Sequence, residues 1–162
     1  MLSFRPLTPA DQDALWHWLH IALWDPPPAP LRPLDVLQQP GVRVYAEDWG
    51  RPSDIGLVAV RDGEDAGACW MRVLPEGVGL ASIDAVTPQL GIGLLPAFQH
   101  QGIGKALMQA ALRAAWSHGH ARVALHHGRI GLPVAGLQLL VHMVGADLGL
   151  AGVLELVAQR GQ

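Results

Sequence analysis

The chain has 162 residues, half of them apolar, with a formal charge of −3 and one cysteine, Cys69. That length predicts one domain, 1–162, with a substantial core. No apolar run is long enough to span a bilayer, and no basic face is available to neutralise the phosphates of nucleic acid. A lone cysteine closes no internal disulfide, and the first residues lack a basic-then-apolar leader, so a reducing cytoplasm is the expected compartment.

Phe4 to Leu7 reads as a first strand. Thr8 suits the N-cap of the next helix, with Pro9 in its first position and Asp11 in its first turn. Leu15, Leu19, Ala22 and Leu23 then fall on one helical face. Pro26-Pro27-Pro28-Ala29-Pro30 stops that helix and reads as a rigid connector. Leu34 to Gln39 reads as a short second helix, and 47–54 as loop. Ile55 to Val60 and Ala66 to Leu74 read as strands joined at Asp62-Gly63. Val78 to Val86 is expected to continue the antiparallel meander, and Leu90 to Leu95 to form the central strand.

A helix from Ile103 buries Ile103, Leu107, Ala110, Ala111 and Ala114, and Gly119 is its natural stop. Arg122 to His127 is the next strand. Pro133 opens a predicted helix that ends at Gly145, and Val153 to Val157 supplies a last strand. The sum is an α/β (α+β) chain, with a mixed sheet of six or seven strands and helices on both faces.

Gln99-His100-Gln101-Gly102-Ile103-Gly104-Lys105 carries the clearest chemistry. It joins the glycine-punctuated central strand to a helix N-terminus, where unpaired N–H groups and the helix dipole favour an anion. Gly102 and Gly104 lack a Cβ, so a phosphate can come close. Lys105 is the one lysine in the chain. A Walker A loop is excluded, because Gln99 stands where its first glycine belongs and Ala106 where its hydroxyl belongs. A dinucleotide fingerprint starting at Gly91 and Gly93 ends at Pro96.

The wider string Leu90-Gly91-Ile92-Gly93-Leu94-Leu95-Pro96-Ala97-Phe98, then Gln99-x-x-Gly102-x-Gly104, resembles the acyl-CoA signature of the GNAT superfamily of N-acetyltransferases. The match is specific over about twenty residues, and Phe4 to Asp11 is similar to the usual first strand and helix start. The resemblance implies a GNAT fold with a mostly antiparallel sheet, acetyl-CoA as co-substrate, and transfer to a primary amine of a small molecule or peptide. It also favours a homodimer. The cofactor-binding residues it implies are Ile92, Gly93 and Leu94 along the pantetheine arm, and Gln99, His100, Gln101, Gly102, Ile103, Gly104 and Lys105 around the pyrophosphate. The backbone N–H of Leu94 is the implied oxyanion donor.

The proton-transfer positions depart from the family pattern. Pro88-Gln89-Leu90 stands where many relatives carry Pro-Glu-Leu, and an amide is no useful base. The family's tyrosine position, four residues before Gly145, is Val141, while the one tyrosine, Tyr45, is distant in sequence. Asp84, His126 and His142 are the candidate replacements, each weighed against an ordinary structural role. Trp16 and Trp24 are expected in the core, and Trp49 and Trp70 in the core or along an acceptor pocket. His118 and His120 lie close in sequence, as do His126 and His127, but no ligand set is completed, so no metal is expected. The alternative to an enzyme is a degenerate module that binds acyl-CoA without turnover.

Overall fold

The computed structural model describes residues 1–23, 32–127, 137–142 and 154–157, with side chains through Leu125. The proline run 26–30, Trp24, Pro133 and Gly145 lie outside the described residues. Among the described residues seven strands form one sheet in sequence order: β1 (Leu2–Pro6), β2 (Ile55–Arg61), β3 (Glu64–Arg72), β4 (Gln89–Leu94), β5 (Arg122–His127), β6 (Leu137–His142) and β7 (Leu154–Val157). Every neighbouring pair is antiparallel except β4 and β5. Among the described residues three helices accompany them: α1 (Gln12–Ala22), α2 (Pro40–Arg43) and α3 (Ile103–Ser117).

Local chemistry explains most of these boundaries. Asp62 and Gly63 both have positive φ, 51° and 84°, which matches the two-residue turn that lets β2 pair directly with β3. A 3-10 turn at Pro9–Asp11 leads into α1, and the Asp11 carboxylate accepts the Thr8 N–H at 2.9 Å. Arg5 grips the same carboxylate with both terminal nitrogens. Leu34–Gln38, expected as a helix, is a 3-10 turn, and the α-helical turn α2 follows it.

Directly opposed strand residues share a sheet face. Trp70 and Arg72 therefore look the same way as their β4 partners Gly91 and Gln89, toward α1 and α2. Met71 and Cys69 share the other face with Leu90 and Ile92, under α3. On that side α3 buries Ile103, Leu107, Ala111, Leu112 and Ala115, while Ala110 and Ala114 are only partly buried. On the first side α1 sits so close to β4 that a Cβ on Gly93 would lie 2.4 Å from the Trp18 carbonyl oxygen.

Two expectations are overturned. Val78 to Val86 is not a strand. Gly77 and Gly79 have positive φ, and the amides of Leu80 and Ala81 bond to side chains rather than to a neighbouring strand. The expected helix between Pro133 and Gly145 is interrupted by β6, whose Leu137–His142 pair antiparallel with β5. A short run rich in leucine and valine carries no period that separates strand from helix.

Arg72 fastens the α2 segment to the sheet. It is fully buried at the end of β3, and all five of its N–H groups have acceptors. Nε and Nη2 form a bidentate pair with Asp54 at 3.0 and 2.8 Å, and the remaining donors meet the carbonyls of Val44, Glu47 and Asp48. The guanidinium lies 5.2 Å from the Trp49 ring centroid. Breaking such a pair on one side leaves a buried charge alone, which costs about 3–5 kcal/mol. Arg72→Ala is therefore expected to lose about that much stability in urea unfolding, and a loss below about 1 kcal/mol would contradict this role.

Candidate active site

The parallel pairing of β4 and β5 is confined to one register position, Gln89 opposite Ala124, where the Ala124 N–H donates to Pro88 at 2.9 Å. Beyond it no further β4–β5 pair forms among the described residues. On the other side of β4 the antiparallel ladder with β3 is complete, and Leu95 N–H extends it by donating to Ala66 at 2.9 Å. Antiparallel ladders alternate, so Gly91 and Gly93 aim their main-chain groups at β3. Those of Ile92 and Leu94 point into the gap. The Leu94 carbonyl accepts from Gln99 Nε2 at 3.0 Å, which ties the following loop to the strand end.

That loop runs through a 3-10 turn, Pro96–Phe98, to α3. His100 and Gly102 both sit in the left-handed region, at φ 62° and 79°. The first bond inside α3 is Ala106 N–H to the Gly102 carbonyl, at 3.3 Å. The amides of Ile103, Gly104 and Lys105 thus have no acceptor inside the helix, and no side chain caps them. A Cβ on Gly102 would meet nothing within 4 Å, so its φ alone calls for glycine there. Gln101 Nε2 bonds Ala97 at 3.1 Å and stiffens the turn, and Lys105 stands exposed at the rim. The chain thus presents main-chain donors along β4 and again at the start of α3, a geometry suited to a long ligand with amides at one end and phosphates at the other.

Gln89 and Tyr45, read in sequence as two unrelated departures from a pattern, meet in the fold. The buried Tyr45 hydroxyl donates to Gln89 Oε1 at 2.6 Å and accepts the Leu80 and Ala81 amides at 2.7 and 3.3 Å. Gln89 Oε1 also accepts the Ala81 amide at 3.1 Å, and Nε2 donates to the Val78 carbonyl at 2.8 Å. Burial pushes the Tyr45 hydroxyl up to about 12, so it stays protonated. No sequence signal pointed to this hub, because its partners are 44 residues apart.

Asp84 lies in the loop before β4. Its Oδ1 accepts the amides of Val86 and Thr87 at 2.9 and 2.6 Å, and its Oδ2 pairs with Arg122, which also donates to the Thr87 hydroxyl. The amides of Val86 and Thr87, with help from Arg122, hold its carboxyl down to about 2. His126 lies two residues past the bridge on β5, the far wall of the gap, and pairs with Gln138. His142 ends β6 opposite Arg122, at the closed end of the β4–β5 pair rather than on a helix. Trp49 and Trp70 are core residues, and Trp16 is partly buried against the same cluster. Trp49 Nε1 donates to the Leu7 carbonyl. Among the described residues no cluster of three or more His, Cys, Asp or Glu is poised for a metal ion. No helix there is long and apolar enough to cross a membrane.

The family model for the acetyltransferase (GNAT) family matches residues 16–132, and the chain belongs to that family. The chain is similar to a mycothiol acetyltransferase of Nocardiopsis dassonvillei, 33% identical over 79 residues. That stretch is 49% of this chain but only 22% of the relative, so the chain spans well under half of that protein's length. Among solved structures it is similar to a GCN5-related N-acetyltransferase from Ralstonia eutropha, with TM-score 0.60 and 20% identity over 82% of this chain and 88% of that one. It is also similar to a GNAT family acetyltransferase from Brucella melitensis solved with acetyl-CoA, with TM-score 0.56 and 18% identity over 95% and 94%. At such identities the structures establish the fold. Acetyl-CoA as co-substrate fits the family and the main-chain track described above.

Two measurements check these assignments. Tyr45→Phe removes the hydroxyl that bonds Gln89, Leu80 and Ala81 inside the core, so it should cost about 1–3 kcal/mol in urea unfolding. A variant as stable as wild type would refute the hub. Asp84 is favoured in its charged form by folding, so it adds stability that is complete above its unfolded value of about 3.9 and lost as pH falls through about 2. The stability gap between wild type and Asp84→Asn should hold level from about pH 7 to about pH 5 and close between about pH 4 and pH 2. A gap unchanged at pH 2 would show that the carboxylate is not engaged.

Proposed function

We propose that the chain transfers the acetyl group of acetyl-CoA to a primary amine of a small molecule or peptide, by direct attack and without a covalent enzyme intermediate. The observation that carries this reading is the one-sided exposure of β4. Ile92 and Leu94 offer amides to the gap while β3 occupies the opposite edge. The pantetheine arm would pair with those groups as an added strand does. The pyrophosphate would rest on the amides of His100 through Lys105, with Gln99 bracing the loop.

Chemistry at the gap then asks little of side chains. The amine nitrogen attacks the thioester carbon, and the Leu94 N–H stabilises the oxygen as it gains charge. The carbon–sulfur bond breaks as the carbon–nitrogen bond persists, and the amine releases a proton. A thiol of pKa about 8.5 leaves readily as its anion and is protonated from solvent. Holding the two reactants together supplies up to about 7–11 kcal/mol. Asp84 and His142 drop out of this reading, the first because it is committed to a turn and an ion pair, the second because it stands at the closed end. Of the three candidates His126 remains, by its place on β5 past the bridge.

The locked Gln89–Tyr45 pair also suits a module that binds acetyl-CoA without turnover. Thiol release from acetyl-CoA over a panel of amines separates the two readings. Release above background with at least one amine is expected, and binding without release for every amine would favour the module. Gly104→Asp tests the phosphate placement. A Cβ there would lie 3.3 Å from Leu94 Cδ1, and the carboxylate would face the bound diphosphate. Acetyl-CoA affinity should fall at least tenfold by calorimetric titration, with a smaller loss for Lys105→Ala, whose charge is screened at the rim. An unchanged Kd in Gly104→Asp would refute the placement.

A further inference from the structure

We infer that Arg122, Asp84 and Thr87 form a positioning clamp that fixes the angle between β4 and β5 and so sets the width of the gap for the pantetheine arm of acetyl-CoA. This rests on the placement of that arm along β4 and adds the side chains that keep the far wall in place. β4 and β5 share one main-chain bridge, Gln89 opposite Ala124, with the Ala124 N–H on the Pro88 carbonyl at 2.9 Å. A single bridge fixes a point of contact, not an angle.

Thr87 and Arg122 each lie two residues before the bridged pair, where the next rung of a parallel ladder would fall. Side chains make the rung there. Arg122 Nε donates to Thr87 Oγ1 at 3.0 Å, and Arg122 Nη2 pairs with Asp84 Oδ2. Asp84 Oδ1 in turn accepts the Val86 and Thr87 amides at 2.9 and 2.6 Å, so the carboxylate holds the turn and the arginine together. Thr87 is buried, and Ala124 packs against Ala81 and Ile83 of the same loop. That loop is anchored to β4 as well, because the Ala81 amide and the Val78 carbonyl both bond the Gln89 side chain. The start of β5 is thus tied to the start of β4 on the closed side of the bridge.

Leverage gives this tie its consequence. β5 runs three residues past Ala124, to His127, which is about 10 Å at about 3.3 Å per residue. A swing of about 10° around the bridge moves that end by about 2 Å, enough to break a hydrogen bond to a ligand held between the strands. The Asp84–Arg122 pair is partly exposed, so it adds little to stability. Its effect is on where β5 stands, and ligand affinity reports that.

The test is calorimetric titration of the full chain with acetyl-CoA and, as a competitor, with the phosphoadenosine diphosphate half of CoA, which lacks the pantetheine arm. Arg122→Met keeps the apolar stem and removes the clamp. Asp84→Asn removes the ion pair, while its amide oxygen still accepts from the turn. The acetyl-CoA Kd should rise about tenfold in each variant, as a displaced wall misplaces the arm. The double variant should lose no more than Arg122→Met alone, because both changes break one device. Arg122→Lys, which keeps the charge but not the bond to Thr87, should fall between Arg122→Met and wild type. The nucleotide Kd should match wild type in all of them, which a general loosening of the fold would not allow. An unchanged acetyl-CoA Kd in both single variants, a nucleotide Kd that rises in parallel, or a double variant that loses the product of the single effects would overturn the clamp and leave the acetyl-CoA reading intact. Wild type that binds the nucleotide half as tightly as acetyl-CoA would reject the placement of the arm in the gap, and this inference with it.

Discussion

One parallel bridge, Gln89 to Ala124, is the constraint on which the site depends. An isolated bridge lets two strands start side by side and then separate. Buried main-chain donors and acceptors must find partners, so a strand edge that faces a gap is stable only where water or a ligand can reach it. β4 is fully paired on its β3 side, which fixes its direction and leaves the main-chain groups of Ile92 and the Leu94 amide facing the gap. The fold thus carries a missing strand, and the amides at the start of α3 continue its path.

Both ends of that arrangement are held from the α1–α2 face. Gly93 lets the α1 backbone come down onto β4, with the Trp18 carbonyl where a methyl group would otherwise stand. Arg72 and Gln89, opposite each other across the ladder, each seize part of the α2 segment, one through the carbonyls after α2 and the other through Tyr45. A bidentate, fully donated guanidinium and a saturated amide are costly to bury but demanding about geometry. Their effect is to specify where the 40–54 and 78–86 segments sit against the end of β3 and the start of β4, rather than to add bulk stability.

The main-chain features were legible in the sequence, and the side-chain hubs were not. The turn at Asp62-Gly63, the central strand, the glycine loop and α3 announce themselves through local rules of turn, strand and helix start. Tyr45 with Gln89 and Arg72 with Asp54 depend on segments brought together by folding, and no spacing rule reports them. The 78–86 stretch misleads for a related reason. Val78, Leu80, Ala81 and Ile83 are as apolar as a strand would be, but they are apolar because loop residues turn inward to pack on the core. Leu137 to His142 misleads because a brief apolar run suits either a strand or a buried helix, and its pairing with β5 decides the matter.

Asp84 shows how environment overrides residue type. A carboxylate before the central strand looks like a base, yet two amides and an arginine make it a strong acid that shapes a turn. The proposed chemistry therefore runs on main chain, with side chains acting as scaffolding. The most direct measurement is a crystal structure of the chain with CoA. The account predicts diphosphate oxygens within about 3.2 Å of the amides between Gly102 and Lys105, and pantetheine amides bonded to Ile92 or Leu94. CoA bound elsewhere, or β5 zipped onto β4 past Gln89 so that the gap is gone, would contradict it.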